Sequence, residues 1–290
     1  MIVLEVLFLV VFWTWVAVAV LLLRNTILPR ASLTLSAADL GLSSETVQFP
    51  ASDGVPLQGW KIPADPAKPW ILLCHGLGTN RADVLDIAAG LSRHSFNTFL
   101  FDFRGHGGSR GRVTSFGWLE QRDLEGALAY LGRQADVPDQ PYGIYGVSMG
   151  GAVALMVAGR DERLQAVAVD SAYTNLEESL ARHLTLLYPM MPRWPVVGFM
   201  AVTYRLRFGV WPREVSPRDS VQRLGSRSLL VIHGSADHRM PVEDTRHLVG
   251  QTSGPCELWV VDGAGHLGSF AVDPEGYLER LVHFFSAHLE

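Results

Sequence analysis

The sequence is poor in several residue types that would point to particular functions. It has two cysteines and two lysines in 290 residues, and it shows no Cys/His spacing typical of a zinc site. No Gly-rich loop precedes a lysine, which argues against a P-loop for nucleotide phosphates. The net charge of −5 and the lack of a basic patch exclude nucleic acid as a natural partner. We therefore expect a protein that works without a metal or an organic cofactor.

The two cysteines, Cys74 and Cys256, each fall in an apolar run that predicts a buried strand. We interpret them as small apolar residues of the core and not as a disulfide, which agrees with a reducing compartment. The chain also lacks internal repeats and low-complexity tracts. Without its apolar N-terminus, residues 1–23, it retains 267 residues, a common size for one α/β domain.

The most informative motif lies in the middle of the chain. Residues 146–150 read Gly-Val-Ser-Met-Gly, the G-x-S-x-G pattern of a nucleophilic serine on a sharp turn between a strand and a helix. An apolar, strand-like run, 142–145, precedes the motif, and a helix-prone run, 151–158, follows it. The glycines permit the strained backbone that such a turn imposes. Ser148 is therefore the candidate nucleophile.

A serine hydroxyl needs a general base, and that base needs an acid to orient it. After a nucleophile of this kind, the chain order is Asp or Glu and then His. Two loops supply these residues: one follows the apolar run 228–232 and carries Asp237, and the other follows the run 256–261 and carries His266. Because sites form at the ends of parallel strands, we predict that His266 is the base for Ser148 and that Asp237 orients it.

Two other carboxylates compete with Asp237 for this role. Asp170 ends the predicted strand 164–170 and could also reach the site, but Asp237 has the better spacing and loop. Asp262 is too near His266 in sequence, and we interpret it as a residue that stabilises a turn.

Attack on a carbonyl also requires donors for the negative charge that develops on its oxygen. The N–H of Met149, at the start of the helix after the nucleophile, is the first predicted donor, and the helix N-terminus favours the same charge. The second is the N–H of Leu77, in a Gly-containing loop that follows the predicted strand 70–75. We interpret His75 in this loop as structural and not catalytic.

Residues 1–23 form an almost wholly apolar run, long enough to cross a bilayer as a helix, with Glu5 and Thr14 as the clear exceptions. A cleaved signal peptide is the alternative, but no Lys or Arg precedes the run. We predict an uncleaved, single-pass membrane anchor followed by a linker, 24–43. Because Arg24 and Arg30 follow the span, the positive-inside rule places the remainder of the chain in the cytoplasm.

The order of predicted elements indicates an α/β fold. A hairpin of strands is expected first, and strands then alternate with helices, which implies a mostly parallel sheet with helices on both faces. The predicted strands are 46–49, 57–62, 70–75, 97–102, 141–147, 164–170, 228–233 and 256–261. The predicted helices are 81–93, 117–134, 149–160, 242–250 and 274–288.

Together these motifs resemble the α/β-hydrolase superfamily, in its serine-nucleophile branch. The chain is similar to membrane-anchored hydrolases related to the monoacylglycerol lipase and serine aminopeptidase groups. The resemblance covers residues 45 to the end and includes His75-Gly76, the run 102–109 (Asp-Phe-Arg-Gly-His-Gly-Gly-Ser), the G-x-S-x-G motif and the loops of Asp237 and His266. It implies a hydrolase domain, 44–290, and assigns His106 to a structural loop beside the site.

The resemblance also implies that residues 174–218, which interrupt the alternation after the sixth strand, form a small helical cap. This segment is rich in large apolar side chains, and prolines break it into short helices. Apolar side chains around a site favour an acyl or lipid-like ester as the substrate. We therefore expect a serine hydrolase of such esters. The alternatives are a serine peptidase or thioesterase of the same fold, and a non-catalytic membrane-tethered binding protein. The oligomeric state stays open.

Overall fold

The computed structural model describes residues 2–137 and 140–289. Met1, which belongs to the predicted membrane span, lies outside the described residues. So do Pro138, Asp139 and Glu290, which belong to the predicted hydrolase domain.

Across the described residues, eight strands form one sheet in the order β1-β2-β4-β3-β5-β6-β7-β8. β1 and β2 form an antiparallel hairpin, and β2 also runs antiparallel to β4. All other neighbouring strands are parallel, so the predicted mostly parallel sheet is confirmed. The strands are β1 (Glu45–Pro50), β2 (Pro56–Ile62), β3 (Trp70–Cys74), β4 (Asn97–Phe101), β5 (Tyr142–Val147), β6 (Leu164–Asp170), β7 (Ser228–Gly234) and β8 (Cys256–Val261).

The helices cover both faces of this sheet. They are α1 (Ile2–Asn25), α2 (Leu85–Arg93), α3 (Glu120–Leu131), α4 (Met149–Ala158), α5 (Leu176–Leu187), α6 (Arg193–Phe208), α7 (Pro217–Val221), α8 (Val242–Val249), α9 (Ser269–Val272) and α10 (Pro274–Leu289). Side chains of a strand point alternately to its two faces. In β3, Leu72 and Cys74 accordingly pack with α3 and α4, whereas Ile71 and Leu73 pack with α2 and α10.

Two predicted helices begin later than their apolar patterns suggest. The predicted helix 117–134 is α3, which begins at Glu120 because Phe116 and Gly117 have φ angles of 57° and 122°. The Glu120 carboxylate turns back and accepts the N–H of Gly117 at 2.8 Å, so it holds this turn. The predicted helix 81–93 starts as a 3-10 turn over its first four residues, and α2 follows it.

Helices α5, α6 and α7 lie between β6 and β7, where the cap was predicted. Asn175 caps α5 by accepting the N–H of Glu177 at 3.0 Å, and Pro189 and Pro192 lie in the connection between α5 and α6. Several large apolar side chains of α5, α6 and the connection between them are exposed. They are Leu186, Leu187, Tyr188, Met190, Trp194 and Leu206.

The apolar N-terminal helix packs against the cap through its last turns, where Val18 and Leu22 are buried. Within the described part of the chain, one helix, Val3–Asn25, is long and apolar enough to cross a membrane. A signal sequence near an N-terminus has the same length and composition, so these properties fit either a membrane span or a signal sequence.

The segment after α1 is fixed to the domain by hydrogen bonds, although it was predicted to be a linker. Thr26 C=O accepts the N–H of Thr114 at 2.8 Å. The Arg30 guanidinium donates to Gly107 C=O at 2.9 Å and to Gly111 C=O at 2.7 Å. The predicted boundaries at residues 23 and 43 remain predictions, but these bonds set the position of α1 relative to the sheet.

Candidate active site

Ser148 occupies a sharp turn between β5 and α4. Its backbone has a φ of 50° and a ψ of −117°, a conformation that residues other than glycine rarely adopt. The flanking glycines leave room for this turn: a Cβ on Gly150 would lie 2.3 Å from Cys74 C=O, and one on Gly146 would lie 2.6 Å from Gly150 C=O. The turn therefore needs glycine at both positions and directs the Ser148 side chain above the carboxyl edge of the sheet.

The structure brings the three side chains predicted for catalysis into one hydrogen-bonded chain. His266 Nε2 lies 3.1 Å from Ser148 Oγ, and His266 Nδ1 lies 2.7 Å from Asp237 Oδ2. A carboxylate only accepts hydrogen bonds, so the imidazole carries its proton on Nδ1 and Nε2 is free to accept the Ser148 hydroxyl proton. This is the relative geometry that nucleophilic catalysis by serine requires.

Asp237 is held in place by its own loop after β7. Its Oδ1 accepts the N–H groups of Arg239 and Met240, both at 2.9 Å. Burial alone would raise the pKa of Asp237, but the hydrogen bonds from His266 and from the Met240 N–H outweigh it and hold the pKa below its usual value. The carboxylate therefore stays charged beside the imidazole. These backbone donors could not be predicted from the sequence, because every residue except proline carries an N–H group.

The two competing carboxylates have other partners. Asp170 accepts hydrogen bonds from Ser171 Oγ at 2.8 Å and from Tyr277 Oη at 2.9 Å, and burial raises its pKa. Asp262 accepts the Ser235 hydroxyl at 3.0 Å, in the turn that was predicted for it. Asp237 is thus the carboxylate that bonds the imidazole of His266.

Leu77 and Met149, the predicted oxyanion donors, lie on the two sides of Ser148. Met149 is the first residue of α4, where backbone N–H groups have no partner within the helix. The loop that carries Leu77 approaches from β3, and a Cβ on Gly76 would lie 3.7 Å from Ser148 Cβ. Leu77 and Met149 line the same cavity as Ser148 and His266. Their role as donors stays a prediction.

Two buried histidines hold this loop. His106 Nε2 accepts the N–H of Gly78 at 3.1 Å, and His106 Nδ1 donates to Arg104 C=O at 2.8 Å. His75 Nε2 accepts the N–H of Phe103 at 3.0 Å, and its Nδ1 donates to Gly76 C=O at 2.7 Å. Each imidazole uses one nitrogen as donor and one as acceptor, so both are neutral. These contacts support the structural interpretation of the two residues.

Burial, with a smaller contribution from the charge of the nearby Arg81, lowers the pKa of His75 to about 3, against 6.5 for an exposed imidazole. Between these values the unfolded chain binds the proton and the folded one does not, so stability falls as the pH drops below 6.5. Acidification from pH 7.5 to 5 should cost about 2 kcal/mol through this residue alone. We expect His75→Gln to lose less thermal stability over the same change, measured as unfolding midpoints in detergent. An equal loss in both proteins would contradict a neutral, buried His75.

A buried ion pair under the loop was not foreseen from the sequence. The Asp102 carboxylate pairs with the Arg81 guanidinium and accepts the N–H groups of Arg81 and Gly108, each at 2.7 Å. The guanidinium lies over the Trp60 ring, 4.3 Å from its centroid. Removing one partner of such a pair would leave a buried, unpaired charge. The pair therefore fixes the 102–109 run beside the site.

A cavity of about 470 Å³ opens above Ser148 and His266. Its walls are mostly apolar and come from the cap, where Leu180, Leu184 and Met200 line it. The last turns of α1 form another part of the wall, a role that the apolar pattern of residues 1–23 did not predict. Over the described residues, no group of three His, Cys, Asp or Glu side chains is placed to hold a metal ion.

Comparison with known proteins gives matches over most of the chain. A family model described as alpha/beta hydrolase fold matches residues 69–229. The protein YfhR of Escherichia coli (strain K12) is 31% identical over 256 residues, covering 85% of this chain and 82% of YfhR. YqkD of Bacillus subtilis (strain 168) is 27% identical over 238 residues, covering 81% and 77% of the two chains. The Pyrococcus furiosus esterase Pf2001 superposes with a TM-score of 0.77 at 24% identity, over 91% of this chain and 98% of that one, which shows a shared fold.

Proposed function

Because the chain belongs to the α/β-hydrolase fold family, we propose that it is a serine hydrolase that cleaves carboxylic esters through an acyl-enzyme intermediate. One observation carries the proposal: Ser148, His266 and Asp237 form a continuous hydrogen-bonded chain at the base of an apolar cavity. The similarity in fold to a protein named as an esterase agrees with it.

In the first half of the reaction, Ser148 Oγ attacks the carbonyl carbon of the ester while His266 Nε2 takes the hydroxyl proton. The negative charge on the carbonyl oxygen is stabilised by the N–H groups of Leu77 and Met149. Asp237 stabilises the imidazolium that forms. The bond between the carbonyl carbon and the alkoxy oxygen then breaks, and the alcohol leaves with the proton from His266.

In the second half, His266 Nε2 takes a proton from water, and the water oxygen bonds to the acyl carbon. The bond from that carbon to Ser148 Oγ breaks, and the serine recovers its proton from the imidazole. The products are one carboxylic acid and one alcohol for each ester and water consumed, so the cycle needs no other reactant.

The apolar walls of the cavity favour an acyl or lipid-like ester. Ligand cavities of about 300–1,000 Å³ are typical for small molecules, and this cavity falls within that range. Ser148 and His266 line this cavity together with the apolar cap residues Leu180, Leu184 and Met200, so an acyl chain would contact the cap while its carbonyl meets Ser148. We propose further that α1 anchors the enzyme in a membrane, with the hydrolase domain on the cytoplasmic side.

A membrane-impermeant fluorophosphonate probe tests the chemistry and the side of the membrane together. We expect inside-out vesicles to be labelled, right-side-out vesicles to be protected, and the adduct to map to Ser148 by mass spectrometry. Purified enzyme should hydrolyse p-nitrophenyl esters of medium and long chains, with matched thioester and anilide substrates measured alongside.

Three results would count against parts of the proposal. Folded protein that neither reacts with the probe nor cleaves any of these substrates would favour a binding protein. Activity confined to acetate esters would argue against an acyl-chain site. Labelling of right-side-out vesicles would reverse the orientation.

A further inference from the structure

One face of α1 is committed to the hydrolase domain, whereas the opposite face is free. Val18 and Leu22 are 6% and 4% exposed, one helical turn apart, whereas Val20 between them is 51% exposed. Val18 packs with Leu184 and Val196 of the cap. Leu22 joins a second cluster, at the base of the cap. The contact is therefore specific to one side of the helix.

The same side of α1 also borders the cavity above Ser148. Val18, Leu21, Leu22 and Asn25 line this space together with Ser148 and His266. Leu21 is partly buried and is one of the residues that border this open volume. The opposite wall is formed by α5 and α6 of the cap. The cavity thus lies between the apolar helix and the cap.

Hydrogen bonds outside α1 fix the helix in this position. The bond from Thr114 N–H to Thr26 C=O and those from Arg30 hold the chain directly after the helix. Further along, Asn80 Nδ2 donates to Ala31 C=O at 3.2 Å and to Ser32 C=O at 3.1 Å. Leu28 lies between these bonds and the helix, and its side chain reaches to about 4.0 Å from where a Cβ on Gly78 would lie, beside the loop of Leu77.

We propose that the last turns of α1 are a wall of the acyl-chain site and that Leu21 determines which acyl chains are accepted. Anchoring alone does not require a helix to line the cavity that contains Ser148, so the position of α1 indicates a second role. The inference rests on the proposed esterase function for its kinetic readout. Its substrate class is an ester with a long acyl chain, which lies between α1 and the cap while its carbonyl reaches Ser148.

The test compares Leu21→Trp with Val20→Trp in the full-length protein, in the same detergent. Both variants add the same ring to the same helix, but only the Leu21 side faces the cavity. For Leu21→Trp, we expect the ratio of kcat/KM on p-nitrophenyl palmitate to that on the butyrate to fall about tenfold or more. For Val20→Trp, the ratio should stay within about twofold of wild type. Leu21→Phe should fall between wild type and Leu21→Trp, and it replaces Leu21→Trp if that variant does not fold.

A binding assay separates this inference from the proposed chemistry. Binding of the fluorescent fatty acid cis-parinaric acid is measured in the Ser148→Ala background, where no hydrolysis is needed. We expect the Leu21 variants to weaken this binding about tenfold, with the Val20 variant unchanged. Equal kinetics and equal binding in the two series would overturn the inference. If wild type shows no esterase activity but the Leu21 variants still lose fatty-acid binding, the proposed esterase function is wrong. The inference that α1 lines an acyl-chain site is then still supported.

Discussion

Ser148→Ala should lower kcat for ester hydrolysis by about a millionfold. The substitution removes the attacking oxygen while leaving the cavity and the predicted oxyanion donors in place, so a small rate above that of water should persist. Alanine fits the turn because serine already places a Cβ at this position with its positive φ of 50°. Initial rates with a p-nitrophenyl ester at high enzyme concentration, together with loss of fluorophosphonate labelling, measure the effect.

Ser171 provides a matched control for this substitution. Like Ser148 it has a positive φ, of 53°, but it is fully buried and its hydroxyl donates to Asp170 and not to His266. We expect Ser171→Ala to keep kcat within about tenfold of wild type. Because residues that act as a unit are not additive, Ser148→Ala combined with His266→Ala should be about as slow as Ser148→Ala alone. If the two losses multiplied, Ser148 and His266 would act independently and the proposed mechanism would be wrong.

Asp237→Asn should lower kcat by about 10⁴-fold with the fold intact. The reason lies in the other oxygen of Asp237. Its Oδ1 accepts the N–H groups of Arg239 and Met240, so the asparagine oxygen must take that place and its amide NH₂ must face His266. Nδ1 would then have to accept a hydrogen bond, which leaves the proton on Nε2. An imidazole in that tautomer cannot take the proton of Ser148.

Asp170→Asn is the control, since Asp170 was the competing candidate for the same role. Its partners are Ser171 and Tyr277, so its replacement should change stability more than chemistry, with kcat within about tenfold of wild type. The measurement is kcat on a p-nitrophenyl ester for each variant, with circular dichroism as a check of folding. The assignment of the acid would be reversed if Asp170→Asn were the slower enzyme.

The sequence predicted the parts of the fold and site that depend on the pattern of a parallel sheet. Apolar runs ending in polar loops located β5, β7 and β8, and the ends of parallel strands meet at one edge. Ser148, Asp237 and His266 could therefore be placed together although they are far apart in the chain. The residue types also identified the candidates, because a nucleophile, a base and an acid need different side chains. Their catalytic roles remain to be tested by the variants above.

Other features have no signature in a single sequence. The Asp102–Arg81 pair joins residues whose types are common, and only the fold shows that both are buried. The start of α3 depends on the positive φ angles of Phe116 and Gly117, which the apolar pattern of the helix does not report. The docking of α1 was missed for a different reason. Its run is apolar on all sides, so no periodicity distinguishes the face that packs against the cap from the face that does not.

The docking of α1 has a consequence for how deeply the enzyme would sit in a bilayer. Residues 3–14 are all exposed, and in a helix they measure about 18 Å, against about 30 Å for the hydrocarbon core. The free part of the helix is thus too short to span the core by itself. If α1 spans the bilayer as proposed, the missing thickness has to come from the docked turns, against which the cap packs. Because α6 packs against α1, the exposed Trp194 and Leu206 of α6 would then lie near the level of the lipid headgroups, and the proposed lipid-like ester would have a short path from the leaflet to Ser148.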